Sequence, residues 1–130
     1  MEPKHRILII DDSREIIEAL KAFFERKYDI LTAYDGFDGL QAFEQNEDSI
    51  DLVITDLDLP GLNGLALISI FKKKYPEIPA ILITGWKVGL EATRTKIFAD
   101  LVLEKPFEVS DLDKSVTRLL ISRDHSSLTG

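Results

Sequence analysis

Short aliphatic runs alternate with amphipathic stretches from one end of the chain to the other. Residues 6–10 and 51–55 are mostly aliphatic and bounded by charge, which predicts strands buried on both faces. Residues 80–84 and 101–103 repeat the pattern, and residues 28–33 have the alternation of an edge strand. Between these runs the period changes. Over residues 13–27, Ile16, Leu20, Phe23 and Phe24 fall at i, i+4, i+7 and i+8, one stripe of a helix. Residues 37–45 and 64–75 are shorter versions. Ser110 and Asp113 resemble a capping box opening a helix over 110–120, with Leu112, Val116, Leu119 and Leu120 as its stripe. The segment 87–99 is the weakest helix, largely polar and carrying Thr93 and Thr95. Pro60–Gly61, Asn63–Gly64 and residues 76–79 mark loops. Five strands alternating with five helices predict βαβ crossovers and a doubly wound α/β domain, its parallel sheet covered on both faces. The domain is expected over residues 1–122, followed by a flexible polar tail over 123–130.

A chain of 130 residues is near the size of one domain and can bury about two-thirds of its unfolded surface. Apolar residues make up 45% and charged residues 30%, an ordinary globular balance. The absence of cysteine excludes disulfides, thiolate metal sites and cysteine nucleophiles. A net charge of −7 lacks the basic footprint of direct nucleic-acid binding. The apolar runs are too short to span a bilayer, and the first one stops at Asp11, unlike a signal peptide. A cytoplasmic protein without membrane contact is therefore expected.

Ligands of such sheets bind outside the carboxyl ends of the strands. There the sequence places Asp11 and Asp12, then Asp56, Thr84, and Glu104 with Lys105. Each has an ordinary alternative: Asp12 as a helix cap, Asp56 as a strand terminator and Thr84 as a cap, Lys105 as a snorkelling surface lysine. Together they are harder to explain. Two carboxylates ~4 Å apart repel by about 4 kcal/mol at an effective dielectric near 20. Converging acids call for a cation, and an all-oxygen donor set selects a hard ion. Mg2+ uses one or two carboxylates, keeps waters and bridges to phosphate oxygens, which points to phosphoryl transfer. Asp56 is the candidate nucleophile, with Lys105 and Thr84 as partners of the phosphoryl oxygens.

Asp11–Asp12 after the first strand, Asp56-Leu-Asp-Leu-Pro-Gly-Leu-Asn-Gly64, Ile81-Leu-Ile-Thr-Gly85 and Glu104-Lys-Pro-Phe107 together resemble the receiver domain of two-component response regulators. The resemblance runs from about His5 to Leu120. It implies a flavodoxin-like (βα)5 fold with strand order 2-1-3-4-5, and phosphorylation of Asp56 by the phosphohistidine of a histidine kinase or histidine phosphotransfer domain. It also implies Mg2+ held directly by Asp12 and Asp56, by the backbone carbonyl of Asp58, and by Asp11 through water. The Lys105–Pro106 bond matches one usually cis in the family. Two positions modulate this expectation. Val102 stands where the family usually has Tyr or Phe, and Trp86 lies where a side chain can overhang the phosphoryl group or merely pack on the loop.

Charge-assisted hydrogen bonds are worth ~1.5–3 kcal/mol each. Two of them, from Thr84 and Lys105, supply ~3–6 kcal/mol, whereas a near-complete two-state switch needs about 5.5 kcal/mol. Partial activation is therefore expected. Ile17 and Phe24 are candidates for docking a helical phosphotransfer partner, with ordinary core as the alternative for both. Residues 87–96 with the last strand and helix form the expected output face, toward a downstream effector, a fused output domain or a phosphorylation-dependent homodimer. Two rivals remain. A phosphohydrolase of the haloacid dehalogenase type would use Asp56 and Asp58 as nucleophile and acid, but its acidic pair follows the lysine in that family. A receiver-like interaction module that no longer takes phosphate is the other. His5 and His125 are expected at the surface, away from the rim.

Overall fold

The computed structural model describes residues 4–85 and 98–129, with side chains through residue 124. Strands β1 (Arg6–Ile10), β2 (Asp29–Ala33), β3 (Leu52–Asp56), β4 (Ala80–Thr84) and β5 (Leu101–Glu104) form one parallel sheet in the order β2-β1-β3-β4-β5. The described helices are α1 (Arg14–Phe24), α2 (Gly36–Gln45), α3 (Gly64–Lys74) and α4 (Val109–Thr129). The expected fold class is thus the observed one. The helix expected over 87–99 lies almost wholly outside the described residues.

Alternation along the central strands divides the core. Ile7, Ile9, Ile54, Ile81 and Ile83 face α1 and α4, meeting Ile17, Leu20 and Phe24 from one and Leu112, Val116 and Leu120 from the other. Leu8, Ile10 and Val53 face the opposite way, toward Phe43 of α2 and Leu67 and Phe71 of α3. The Phe43 and Phe71 rings stack there with centroids 4.1 Å apart. β1 and β3 contribute side chains to both cores, while β4 sends Ile81 and Ile83 to the first and packs Ala80 and Leu82 against Ile68 of α3 on its other face, as unbroken aliphatic runs require.

Three boundaries differ from the sequence expectation. β3 ends on Asp56 instead of Thr55, because Asp56 still pairs with Ile83 of β4. α4 starts at Val109, so Ser110 lies in its first turn and the capping box is not formed at the expected place. The polar residues 123–129, expected as a flexible tail, continue α4 to Thr129. No glycine or proline interrupts them, and the Arg123 guanidinium is held by the carboxylate and backbone carbonyl of Asp51 at the foot of β3. No helix among the described residues is long and apolar enough to cross a membrane.

Candidate functional site

The carboxyl ends of β1, β3, β4 and β5 gather the polar residues at one rim. Asp11 continues the β1–β2 ladder, its N–H donating to the Ala33 carbonyl at 3.1 Å. Its Oδ1 accepts the Ser13 N–H at 2.9 Å. Ser13, not Asp12, caps α1, accepting the Ile16 N–H at 3.3 Å. Asp12 stands exposed beside it. Asp56 is only 5% exposed at the end of β3, and the buried Thr55 hydroxyl donates to its backbone carbonyl at 3.0 Å. Thr84 is fully buried at the end of β4, and its carbonyl accepts the Lys105 N–H at 2.8 Å. The Lys105 ammonium lies 3.2 Å from Asp56 Oδ1 and 3.7 Å from Asp11 Oδ2. The Lys105–Pro106 peptide bond is cis.

Carboxylate oxygens of Asp11, Asp12 and Asp56 lie within 4.8 Å of one another. Burial is the largest cause that lifts Asp56 from an ordinary 3.8 to about 6, followed by the Asp11 carboxylate, with Lys105 opposing both. Burial likewise raises Asp11, against the Ser13 N–H and Lys105. For Lys105, burial disfavours the charge, but Asp11 and Asp56 outweigh it and hold the ammonium above its usual range. Two buried acids, one exposed acid and one buffering cation suit a hard divalent ion with oxygen ligands, and Mg2+ fits this donor set.

The remaining candidates fall as follows. Asp58 is exposed on the β3–α3 loop, near enough for its charge to add to the rise of Asp56. Val102 packs with Ile68, Ala80 and Leu82 on the α3 side of the sheet. Trp86 and residues 87–96 lie outside the described residues. His5 faces Asp124 at 3.3 Å, at the foot of β1 and far along the strand from the rim. Ile17 and Phe24 are core residues at 1% and 0% exposure, so neither can dock a partner. The half-buried neighbour Ile16 instead lines an apolar groove with Ala19, Pro106, Phe107 and Val109, directly beside Lys105. The helical period could have found it, since Ile16 precedes Leu20 by one turn while Ile17 points deeper.

The model of the response regulator receiver domain family matches residues 7–117. The chain belongs to this family. As a receiver domain it is 34% identical over 122 residues to the transcriptional activator protein PfeR of Pseudomonas aeruginosa, covering 91% of this chain and 38% of PfeR. It is 32% identical over 127 residues to the transcriptional regulatory protein CpxR of Escherichia coli, covering 95% of this chain and 52% of CpxR. The chain thus spans about half the length, or less, of these curated relatives. A receiver domain protein from Clostridium thermocellum superposes with a TM-score of 0.84 at 31% identity, over 97% of this chain and 99% of that one. A CheY-like receiver domain from Methanospirillum hungatei gives 0.86 at 25% identity, over 95% and 98%. Receiver domains are signalling domains of two-component phosphorelays, and this membership favours the receiver reading over the dehalogenase-type one.

Proposed function

We propose that this receiver accepts a phosphoryl group on Asp56 from the phosphohistidine of a histidine kinase or phosphotransfer domain, in a Mg2+-dependent reaction in the cytoplasm. The observation that carries the reading is the Lys105 ammonium 3.2 Å from a buried carboxylate that shares its pocket with two further acids. An Asp56 oxygen forms the new O–P bond while the donor's N–P bond breaks, and the departing imidazole keeps or gains its proton from solvent. Burial pushes the Asp56 carboxyl up to about 6, so at neutral pH its carboxylate is mostly ionised yet more basic than a solvated one. Lys105 neutralises charge on one phosphoryl oxygen, and the Thr84 hydroxyl donates to another. Asp12, Asp56 and the Asp58 carbonyl would hold Mg2+, with Asp11 acting through water. When bound, that ion supplies charge neutralisation at the transferring group.

The apolar groove of Ile16, Ala19 and Phe107 beside Lys105 supports docking of a helical donor there. With Val102 replacing the family's aromatic residue, Thr84 carries the change of state without a ring swing, toward a fused or separate effector or a homodimer. The receiver domain catalyses its own phosphorylation and dephosphorylation. Acetyl phosphate with Mg2+ followed by intact mass spectrometry tests the reading. One phosphoryl adduct is expected on wild type and none on Asp56→Asn; an adduct that survives this substitution, or none on either protein, overturns it.

A further inference from the structure

The loop of residues 57–63 between β3 and α3 carries Asp58, whose carbonyl the proposed function assigns to Mg2+. Its start is tied to the sheet, the Leu57 N–H donating to the Ile83 carbonyl at 2.8 Å, and its end closes back on its start, the Gly64 N–H donating to the Leu57 carbonyl at 3.0 Å. Its middle meets the start of α2 instead. The Gly36 N–H donates to the Pro60 carbonyl at 3.3 Å. A Cβ on Gly36 would stand only 1.9 Å from the Leu62 oxygen, so backbone lies on backbone there. One residue further on, the Phe37 ring covers Gly61. A Cβ on Gly61 would meet two ring carbons at 2.5 and 2.7 Å, and Gly61 itself has φ +78°. Phe37 is nonetheless 63% exposed. A large aromatic side chain near the start of a helix, mostly in water, contributes little to the core. What it does touch is the turn of the metal-site loop.

We propose that Phe37 is a positioning residue for the divalent-ion site: by lying across Gly61 it holds the 57–63 loop in the form that presents the Asp58 carbonyl beside Asp12 and Asp56. This rests on the Mg2+ reading above. Leu59 and Leu62 pack partly against the second core and fix the loop's inner side. Phe37 closes the outer side, its ring supplying the three atoms nearest to a Cβ on Gly61. Groups that orient a metal ligand without touching the metal cost roughly tenfold or more in affinity when removed. The ring's exposure means that its loss should spare the fold.

Mg2+ binding to the full chain by isothermal titration, with thermal melting in EDTA, separates the outcomes. Phe37→Ala should weaken Mg2+ about tenfold, at the low end for such residues, with an unchanged melting temperature in EDTA. Phe37→Tyr should restore wild-type affinity. Phe37→Ala binding Mg2+ as wild type does, while Asp12→Asn loses it, overturns the proposal and leaves the site reading intact. A fall in EDTA stability that accounts for the weaker binding overturns it as well. Wild type and Asp12→Asn both failing to bind Mg2+ overturns the site reading, and the proposal with it.

Discussion

At the scale of single residues, the rim trades stability for chemistry. Asp56 has an ordinary value of 3.8 when unfolded and about 6 when folded. Below the lower value both states hold the proton. Between the two, only the folded state keeps it, so stability is fully present at low pH and declines as pH rises through the folded value. Asp11 is shifted the same way and adds to the trend. Without Mg2+, Asp56→Asn should therefore be more stable than wild type at pH 7.5 by roughly 2 kcal/mol, less than the full shift would give because water reaches the rim. The advantage should shrink toward pH 4. Urea denaturation of both proteins across this range in EDTA measures it, and a gap independent of pH would count against the buried-acid account. Lys105 gives the opposite test. Among the described residues it alone forms an ion pair with Asp11 and Asp56. Lys105→Ala should keep Asp56 phosphorylatable and bind Mg2+ more tightly, since a competing cation is gone, while weakening phosphorylation-dependent partner binding. Partner binding unchanged in this variant, or Mg2+ affinity reduced, would refute the role given to the ammonium.

At the scale of elements, what was legible in the sequence follows from how local each determinant is. The strands declare themselves because Ile7 to Ile10 and Ala80 to Ile83 are buried on both faces and are apolar without interruption. The rim acids were legible for a related reason: a charged residue directly after such a run can lie only at its end. The missed features depend on partners far away in sequence. Asp56 belongs to β3 through its pairing with Ile83. Phe37 owes its position to Gly61. Near the end of α4, Arg123 meets Asp51, a contact 72 residues apart that no local pattern encodes. Ser110 misled because a capping box specifies a start only when the preceding backbone is extended, and here Glu108 already accepts the N–H groups of Asp111 and Leu112. The Arg123 contact carries a prediction. Arg123→Ala should cost about 1 kcal/mol or less, as a partly exposed ion pair does. It should also release α4 beyond Leu120, seen as faster amide exchange over residues 121–129 with exchange in β1 and β3 unchanged. Uniformly faster exchange would instead mean that the contact supports the whole domain.

At the scale of the whole molecule, a bound ion should couple to folding through the proton it displaces from Asp56. A ligand that binds only the folded state stabilises it by an amount set by its concentration over its dissociation constant, about 2.7 kcal/mol at a hundredfold excess. Mg2+ must compete with the proton for Asp56, because a protonated carboxyl is a poor ligand for a hard cation. Above about pH 6 the carboxylate is ionised and the competition disappears. Bound there, the ion would offset the repulsion among Asp11, Asp12 and Asp56, whose carboxylate oxygens lie within 4.8 Å of one another. Below that value Asp56 holds a proton, and the ion has less to offer. The rise in melting temperature on adding a fixed excess of Mg2+ should therefore be large at pH 8, reduced at pH 6 and nearly absent at pH 5, whereas in Asp56→Asn it should be small and nearly flat with pH. Ca2+, larger and satisfied by less regular oxygen sets, should stabilise less than Mg2+ at the same excess. A melting shift that is the same at pH 5 and pH 8 would mean that the ion acts elsewhere on this acidic surface. In that case the raised Asp56 would stand without the cation that the crowding of the rim demands.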